Sequence, residues 1–244
     1  MNIGIYQSAA SLSALERWQS VVTQNITSSS VSGYKKRVVD VFSENLGSYN
    51  PSMKGNSGDE VAAQFPSVAY GINFQPGELA PTRRDYDMGI QGKGFFVLNK
   101  DGEKVYTRDG SFRIRNDRVL TSGDGAEVMS ASGTPIQSLP TGGPIVVNHD
   151  GSIYQGDALL GKLQVVQFAD TSKLMPVAGG YKSLGQDPIP VEKPEVLQGY
   201  LEGSNVSSMR EMVDLMTIAR AYEANQKVIS NQDSLLGKAL EKLG

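Results

Sequence analysis

The sequence contains no cysteine and a single histidine, His149. The first absence excludes disulfides, thiolate metal sites and cysteine nucleophiles, and the second excludes any metal site built from several histidines. His149 precedes the turn sequence Asp150-Gly151, where a polar side chain needs no catalytic explanation. We therefore expect no catalytic residue, no metal site and no cofactor.

The sequence also lacks an excess of either charge. Its 23 Lys and Arg and 26 Asp and Glu give a net charge of −3, which provides no general attraction to nucleic acid or anionic lipid. No run approaches the roughly 20 apolar residues of a membrane span. The first twenty residues have neither the basic segment nor the unbroken apolar core of a secretory signal. We expect no nucleic-acid partner, no membrane insertion and no cleaved signal.

Glycine-rich stretches offer two further candidates for chemistry, and both fail. Gly92 and Gly94 are followed by Phe95-Phe96 and a predicted strand, whereas a phosphate-binding loop needs Lys and Ser or Thr before a helix. The Asp-Gly pairs lack the spacing of a calcium loop. These glycines are better explained by turns and by close backbone approach.

Both ends of the sequence carry helical heptad patterns. We predict a helix over residues 3–28 and a second from an N-cap at Ser204 or Asn205 to about residue 243. The second is far longer than the ~10–14 residues usual in globular proteins. The apolar positions of the two seams are predicted to form an assembly interface: Ile5, Leu12, Leu15, Val22, Ile26, Met212, Leu215, Ala219, Tyr222, Ile229, Leu236, Leu240 and Leu243.

A narrow apolar seam on a helix needs a second helix to cover it. The two terminal helices could pair within one molecule, or neighbouring subunits could cover both. The same seams contain Gln19, Gln226 and Asp233. These polar residues either find partners in neighbouring subunits or face water, and the sequence leaves both readings open.

The middle of the sequence has the spacing of strands and turns. Asp101-Gly102 and Asp150-Gly151 each separate two strand-like runs and predict hairpins. The predicted class is α+β: long terminal helices forming a coiled-coil-like α domain, with a central, mainly antiparallel β-domain. The predicted ranges are an N-terminal helix at 1–33, an extended segment and flexible loop at 34–64 (the loop at 47–64), the β-domain at 65–200 and a C-terminal helix at 201–244.

Four ordered stretches resemble the bacterial flagellar rod and hook family. They include Tyr106-Thr107-Arg108-Asp109-Gly110-Ser111-Phe112, which matches the family pattern Y-T-R-D/N-G-x-F. The other stretches start at Gln24, Phe74 and Gln198. The stretch that starts at Phe74 departs from the family pattern by a Pro insertion and by Gly89 in place of the usual Ala. The residues that carry the match are Asn25, Gly33, Tyr34, Lys35, Gly92, Gly94, Phe95, Phe96, Thr107, Arg108, Gly110, Phe112, Ser204, Asn205, Arg220 and Glu223.

The resemblance implies a rod subunit of the FlgF (proximal) or FlgG (distal) type, related to the hook protein. It implies self-assembly through the terminal helices into a tubular drive shaft that transmits torque to the hook. Its expected partners are copies of itself, other rod, hook and ring proteins, and the flagellar type III export apparatus. The expected location is the periplasm-spanning rod of the basal body.

A second interpretation is a secreted carbohydrate-binding protein or enzyme whose terminal helices form a simple hairpin. That reading requires a concave polar pocket within residues 65–200, lined by carboxylates with shifted pKa values. Independently of either interpretation, the short run Lys35-Lys36-Arg37 is expected to be a solvated or interfacial basic patch.

Overall fold

A computed structural model of the chain describes residues 3–49, 61–140 and 142–243. The chain divides into two compact units. The first contains residues 1–27, 37–73 and 207–244, and the second contains residues 28–36 and 74–206. Helix, β region and helix follow one another along the chain, which confirms the α+β class.

The first unit consists of two helices and one long hairpin. Its elements are α1 (Ile3–Thr27), β1 (Arg37–Tyr49), β2 (Val61–Ile72) and α2 (Ser208–Leu243). α1 has no proline and ends at the run Ser28-Ser29-Ser30, because serine hydroxyls compete for backbone hydrogen bonds and disfavour a helix interior. The predicted end of this helix is therefore confirmed to within one residue.

α1 and α2 run antiparallel. A side chain at Gly4 would meet the Gln232 amide, and Asn25 donates to Glu211 at 2.9 Å. These contacts are 21 residues apart on each helix and in opposite order. At about 1.5 Å per residue the paired length is about 30 Å. Because α2 has 36 residues and α1 has 25, residues 234–243 extend past the position opposite the start of α1. We call residues 234–243 the α2 overhang; a supercoil of the pair stays a prediction.

The hairpin extends into the range predicted to be a loop. β1 and β2 pair from Arg37↔Ile72 to Tyr49↔Val61, with a register shift between Asn45 and Ser48. The loop predicted at 47–64 was therefore wrong at 47–49 and 61–64, which are strand, because cross-strand pairing overrides the weak propensities of Gly and Ser. Residues 50–60 of that prediction lie outside the described residues.

The second unit is built from short antiparallel strands. A nine-stranded sheet contains the path β14-β15-β6-β5-β9-β8-β7, and β13 joins β5 to β16. β10-β11-β12 form a three-stranded sheet, and β17 pairs with β4 and β18 with β3. The strands are β3 (Leu79–Pro81), β4 (Met88–Gln91), β5 (Phe95–Lys100), β6 (Glu103–Thr107), β7 (Arg113–Ile114), β8 (Leu120–Thr121), β9 (Glu127–Val128), β10 (Ile145–Val147), β11 (Ser152–Gln155), β12 (Ala158–Lys162), β13 (Val165–Gln167), β14 (Leu174–Val177), β15 (Gly180–Ser183), β16 (Ile189–Pro190), β17 (Glu195–Gln198) and β18 (Tyr200–Glu202); a 3-10 turn spans Thr171–Lys173.

Strand β5 lies at the centre of the core of this unit. Its residues 95–98 are all buried, since β6, β9 and β13 pair with it. Phe96 is fully buried, and its ring meets Phe112 edge-on at a centroid distance of 5.2 Å. The two phenylalanines of the Gly-rich stretch are therefore core residues.

The predicted turns are confirmed where the strands bend back. Lys100 pairs with Glu103 across Asp101-Gly102, and both turn residues have positive φ, 52° and 87°, as a type I′ hairpin requires. Residues 148–151 close the hairpin between β10 and β11. Asp-Gly pairs thus act as turns and not as ligand loops.

Two predicted boundaries change in the structure. The β-domain does not begin at residue 65, because β2 pairs with β1 in the first unit and the second unit resumes at residue 74. Ser204 and Asn205 do not cap α2, which starts at Ser208 with the Ser207 carbonyl accepting from the Glu211 N–H. The Ser204 hydroxyl instead accepts from the Val206 N–H at 3.2 Å.

We expect Phe96→Ala to lower the free energy of unfolding of the second unit by about 3–5 kcal/mol, because it leaves a cavity beside Phe112. The matched change Leu159→Ala, at a residue that is 59% exposed, should cost within about 0.5 kcal/mol. Urea titration followed by near-ultraviolet circular dichroism of the buried tyrosines measures both. Equal effects would contradict the assignment of Phe96 to the core.

Candidate assembly site

The face of α2 that meets α1 follows a heptad. Glu211 and Ile218 are each only 1% exposed. The predicted seam residues Leu215, Tyr222 and Ile229 are half-buried. The inward positions therefore alternate by four and three residues: Glu211, Leu215, Ile218, Tyr222, Asn225, Ile229 and Gln232.

The second row of the predicted α2 seam, Met212 and Ala219, does not face α1, and its part in an assembly interface stays a prediction. Met212 is 52% exposed and Ala219 is exposed, while Glu211 and Ile218 occupy the inward row. Gln226 and Asp233 shift with that row and are exposed. Sequence patterning favoured Met212 over Glu211 because it treats apolar side chains as inward. Leu236, Leu240 and Leu243 lie in α2, but their side chains are outside the described part.

α1 presents a mixture of predicted and unpredicted residues. Val22 is buried, and Ile5, Leu12, Leu15 and Ile26 are half-buried. Gln19 is exposed, so this polar position faces away from the seam. Four further residues of α1 are buried: Ser8, Ala14, Val21 and Asn25. Sequence reasoning missed the first three and named Asn25 only as a motif residue.

A buried polar network fixes the end of the helix pair. The Asn25 amide donates to Glu211 Oε2 at 2.9 Å and to the Arg37 carbonyl at 2.8 Å, and its oxygen accepts from the Arg37 N–H at 2.9 Å. Asn25 and Glu211 are each 1% exposed. Glu211 lies in the first turn of α2, where the helix dipole favours a carboxylate. A slip of either helix would separate the Asn25 amide from Glu211 and break this buried hydrogen bond.

The second unit contains a buried ion cluster centred on Glu202. Oε1 of Glu202 accepts from the Lys35 ammonium and, at 2.8 Å, from the Gly77 N–H. Oε2 lies 3.1 Å from Nη1 of Arg108. The side chains of Lys35, Glu202 and Arg108 are 0%, 1% and 3% exposed. We call these three residues the Glu202 cluster; Lys35 is therefore not part of a solvated basic patch.

Backbone carbonyls and a ring hold the two cations of the cluster. Lys35 donates to the Gln75 carbonyl at 2.9 Å. Arg108 donates to the carbonyls of Ile90 and Gly92, and its guanidinium lies 5.6 Å from the Phe95 ring centroid. Burial lowers the pKa of Lys35, and the bond to Glu202 opposes that shift only in part. Burial also lowers the pKa of Arg108, against the attraction of Glu202.

The segment before Lys35 and the segment after Glu202 close over the cluster. Gly33 has a φ of 68°, donates to the Glu202 carbonyl at 2.7 Å and packs so closely on the Arg108–Asp109 backbone that any Cβ would overlap it. Asn205 accepts from the Lys36 N–H at 2.7 Å and donates to the Gln75 carbonyl at 2.9 Å. Four distant parts of the sequence meet here.

The structure thus brings most of the motif residues together in the second unit. Gly94 packs against Val165, Thr107 accepts from the Asp109 N–H at 3.1 Å, and the Asn205 N–H donates to the Tyr34 carbonyl at 3.4 Å. Arg220 and Glu223 are exceptions, since both are exposed on α2. The motif residues therefore hold segments together in the second unit, apart from Asn25, which acts in the helix pair.

Two polar pockets of the second unit are lined by charged side chains that pair with each other. A polar pocket of about 260 Å³ lies beside Lys100 and Asp124, whose charged groups are 2.8 Å apart. Partial burial opposes ionisation of Asp124, but the bonds from Lys100 and Ser122 keep its pKa below the usual value. A carboxylate held ionised in this way is a structural ion-pair partner. A second pocket of about 390 Å³ contains the Lys182–Glu103 pair.

Across residues 3–49, 61–140 and 142–243, no three His, Asp or Glu side chains are grouped to hold a metal ion. Neither described helix is both long and apolar enough to span a membrane.

Two family models match the chain. One is described as the flagellar hook protein FlgE/F/G D1 domain and matches residues 89–155. The other is the flagellar basal body rod FlgEFG protein C-terminal region and matches residues 197–242. The first match contains Arg108 and strands β5 to β11. The second begins within β17 and runs through nearly all of α2.

Similar proteins extend the match to the whole chain. The flagellar basal-body rod protein FlgF of Caulobacter vibrioides is 30% identical over 246 residues, covering 100% of this chain and 99% of the relative. FlgF of Rhizobium meliloti is 30% identical with the same coverage. FlgG of Buchnera aphidicola is 28% identical over 259 residues, covering 96% of this chain and 97% of the relative.

We expect Glu202→Gln to destabilise the second unit by about 3–5 kcal/mol, because two buried cations lose their counter-charge. The matched control is Glu103→Gln, which removes the exposed partner of Lys182 and should cost at most about 1 kcal/mol. Thermal and urea unfolding of both variants provide the comparison. A cost for Glu202→Gln no larger than that of the control would rule out the cluster as a determinant of stability.

The lowered pKa of Lys35 predicts a pH dependence. Between that lowered pKa and the unfolded value of about 10.4, the unfolded chain binds more protons than the folded chain. The free energy of unfolding should therefore rise with pH across this window relative to Lys35→Met, which cannot titrate there. Urea titrations of both proteins from pH 7 to pH 10 measure the difference. A difference that falls with pH would contradict the burial effect.

Proposed function

The chain belongs to the bacterial FlgF/FlgG family of flagellar basal-body rod proteins, and we propose that its terminal helices build the rod. It is a structural subunit of that rod. In the proposal, many copies and related subunits pack their helices into a tubular shaft. The shaft carries torque from the motor to the hook.

The unequal length of the two helices is the observation that supports assembly. The α2 overhang extends past the position opposite the start of α1, and its Leu235 is 66% exposed. Half of the overhang residues are Leu or Ala. An isolated helical end of this kind is marginal in water and gains stability when a neighbouring subunit packs on it.

A torque-bearing polymer also needs subunits of one defined geometry. Buried polar groups such as Asn25 and Glu211 specify helix register, because any other register breaks the hydrogen bond between them. The helix pair of each subunit is thereby a fixed building block, as a stiff shaft requires.

The Glu202 cluster serves the same function at the chain segments that follow α1 and precede α2. Residues 33–35 and 202–205 are bonded to each other and to the β strands of the second unit. Force applied to either helix reaches the second unit along these covalent segments. A buried, multiply bonded anchor resists being pulled out better than an exposed loop does.

Coverage by the relatives favours the FlgF type. FlgF of Caulobacter vibrioides and of Rhizobium meliloti are each matched over 100% of this chain, and the FlgG of Buchnera aphidicola over 96%. We therefore propose that the subunit belongs to the proximal part of the rod. Its proposed partners are other rod, hook and ring proteins and the type III apparatus, which would export it without a cleaved signal.

The double change Ile229→Asp and Leu236→Asp tests the proposal. It puts two carboxylates on the α2 seam, so we expect loss of incorporation into basal bodies and loss of motility. The second unit should keep the near-ultraviolet circular dichroism of its buried tyrosines. Immunoblotting of purified basal bodies measures incorporation in cells that lack the native copy.

The matched control places charge on the outward side of the same helix. Gln226→Glu lies at an exposed position of α2 and should leave incorporation and motility unchanged. Normal motility of the Asp double variant would refute assembly through α2. Equal loss with the Gln226→Glu control would show a general intolerance of charge and contradict the seam assignment.

A further inference from the structure

The first turns of α2 carry an apolar patch on the outside. Met209 is 80% exposed, and Met212, Val213 and Met216 are 52%, 52% and 54% exposed. Their spacing of i, i+3, i+4 and i+7 puts them on one side of the helix. We call these four residues the methionine patch. Large exposed apolar patches mark interaction surfaces.

The patch is confined to one end of α2. Further along the same side the exposed residues are Arg220, Glu223 and Lys227. Lys227 lies 18 residues, or about five full turns, after Met209 and so has the same direction. This side of α2 is therefore solvated over most of its length and apolar only near its start. A general tolerance of apolar residues does not explain so local a change.

The partner of the patch comes from outside the molecule's own helix pair. Glu211 and Ile218 face α1, which lies on the opposite side of α2 from the patch. In the part of the chain that the structure describes, α1 and α2 are the two α-helices. Helical spacing of the patch fits an apolar helix lying along it. Such a helix has to be supplied by another molecule.

The chain itself carries a matching surface at the other end of α2. The α2 overhang is ten residues, about 15 Å of helix, and the patch from Met209 to Met216 spans about 10 Å. Leu235 in the overhang is 66% exposed. One helix thus has an exposed apolar patch near its start and, at its end, a segment that extends past α1 and exposes Leu235.

We propose that the methionine patch of one copy receives the α2 overhang of a second copy. The contact joins two different surfaces. Each copy inserts its α2 overhang into one neighbour and receives the overhang of another neighbour on its methionine patch. Such a heterologous contact does not close on itself and generates an open helical assembly. Flexible, polarisable methionine side chains suit a surface that must adapt to a neighbour. The inference deepens the proposed rod function and rests on it.

The absence of cysteine makes a cross-linking test direct, because every introduced thiol is unique. A full chain with Met212→Cys is mixed with a full chain with Leu235→Cys and treated with a short bismaleimide. We expect a covalent dimer in the mixture and little product from either variant alone. One chain with both changes should give a ladder of oligomers. Lys227→Cys replaces Met212→Cys as the matched control and should give no dimer with Leu235→Cys.

Charge variants test the direction of the contact. Met212→Asp with Met216→Asp disables the methionine patch and gives the reception-blocked variant. Leu235→Asp with Leu236→Asp disables the α2 overhang and gives the donation-blocked variant. Each variant alone should stay monomeric at concentrations where the unmodified chain forms oligomers, and an equimolar mixture should stop at dimers. Sedimentation velocity measures these species. Dimers of the donation-blocked variant alone, or cross-linked dimers of Met212→Cys alone, would show a patch-to-patch contact and overturn the proposal.

The same cysteine variants, expressed in motile cells, separate this inference from the proposed function. If they are incorporated into basal bodies and bismaleimide yields no linkage between positions 212 and 235, the contact proposed here is wrong and the rod function stands. If the unmodified chain is absent from basal bodies, the rod function itself fails. Linkage within isolated basal bodies supports both.

Discussion

The structure of the second unit depends on how the buried carboxylate of Glu202 is neutralised. A lone carboxylate in this position would be strongly unfavourable, so the fold must bring Lys35 and Arg108 to it. Lys35 lies in the segment after α1, Arg108 directly follows strand β6, and Glu202 is the last residue of strand β18. Their carbonyl partners, Gln75, Ile90 and Gly92, come from two further stretches. One charge therefore fixes the relative positions of chain segments that are far apart in sequence.

Local patterns were sufficient to predict those features whose cause is local. The ends of α1, the turn at Asp101-Gly102 and the strand nature of Phe95-Phe96 follow from capping, turn chemistry and periodicity, and the structure confirms each of them. The long hairpin was missed at residues 47–49 and 61–64 because Gly, Ser and Asn were read as loop residues. Its strands are held by each other over 12 or 13 residues, and composition does not report such pairing.

The buried polar residues were the least accessible to sequence reasoning. Glu211 was passed over in favour of Met212 because an apolar side chain is ordinarily the better candidate for burial. Its burial becomes reasonable only when Asn25, 186 residues earlier, is known to donate to it. Lys35 was read as part of an exposed basic run for the same reason. Motif resemblance identified Lys35, Arg108 and Asn25 as important, but their roles required their partners.

The resulting molecule places polar groups inside and apolar groups outside along α2. In a monomer this arrangement is costly, since Met209 and Met216 remain in water while Glu211 is desolvated. The costs have different consequences. The buried Glu211–Asn25 pair fixes the register of the two helices in every copy. The exposed methionines lower the stability of the monomer only until a neighbouring subunit covers them. Binding of a neighbour then stabilises the folded helices by mass action. Ordering of α2 and growth of the assembly are therefore coupled parts of one equilibrium. The assembly supplies part of the stability that the helix pair does not have by itself.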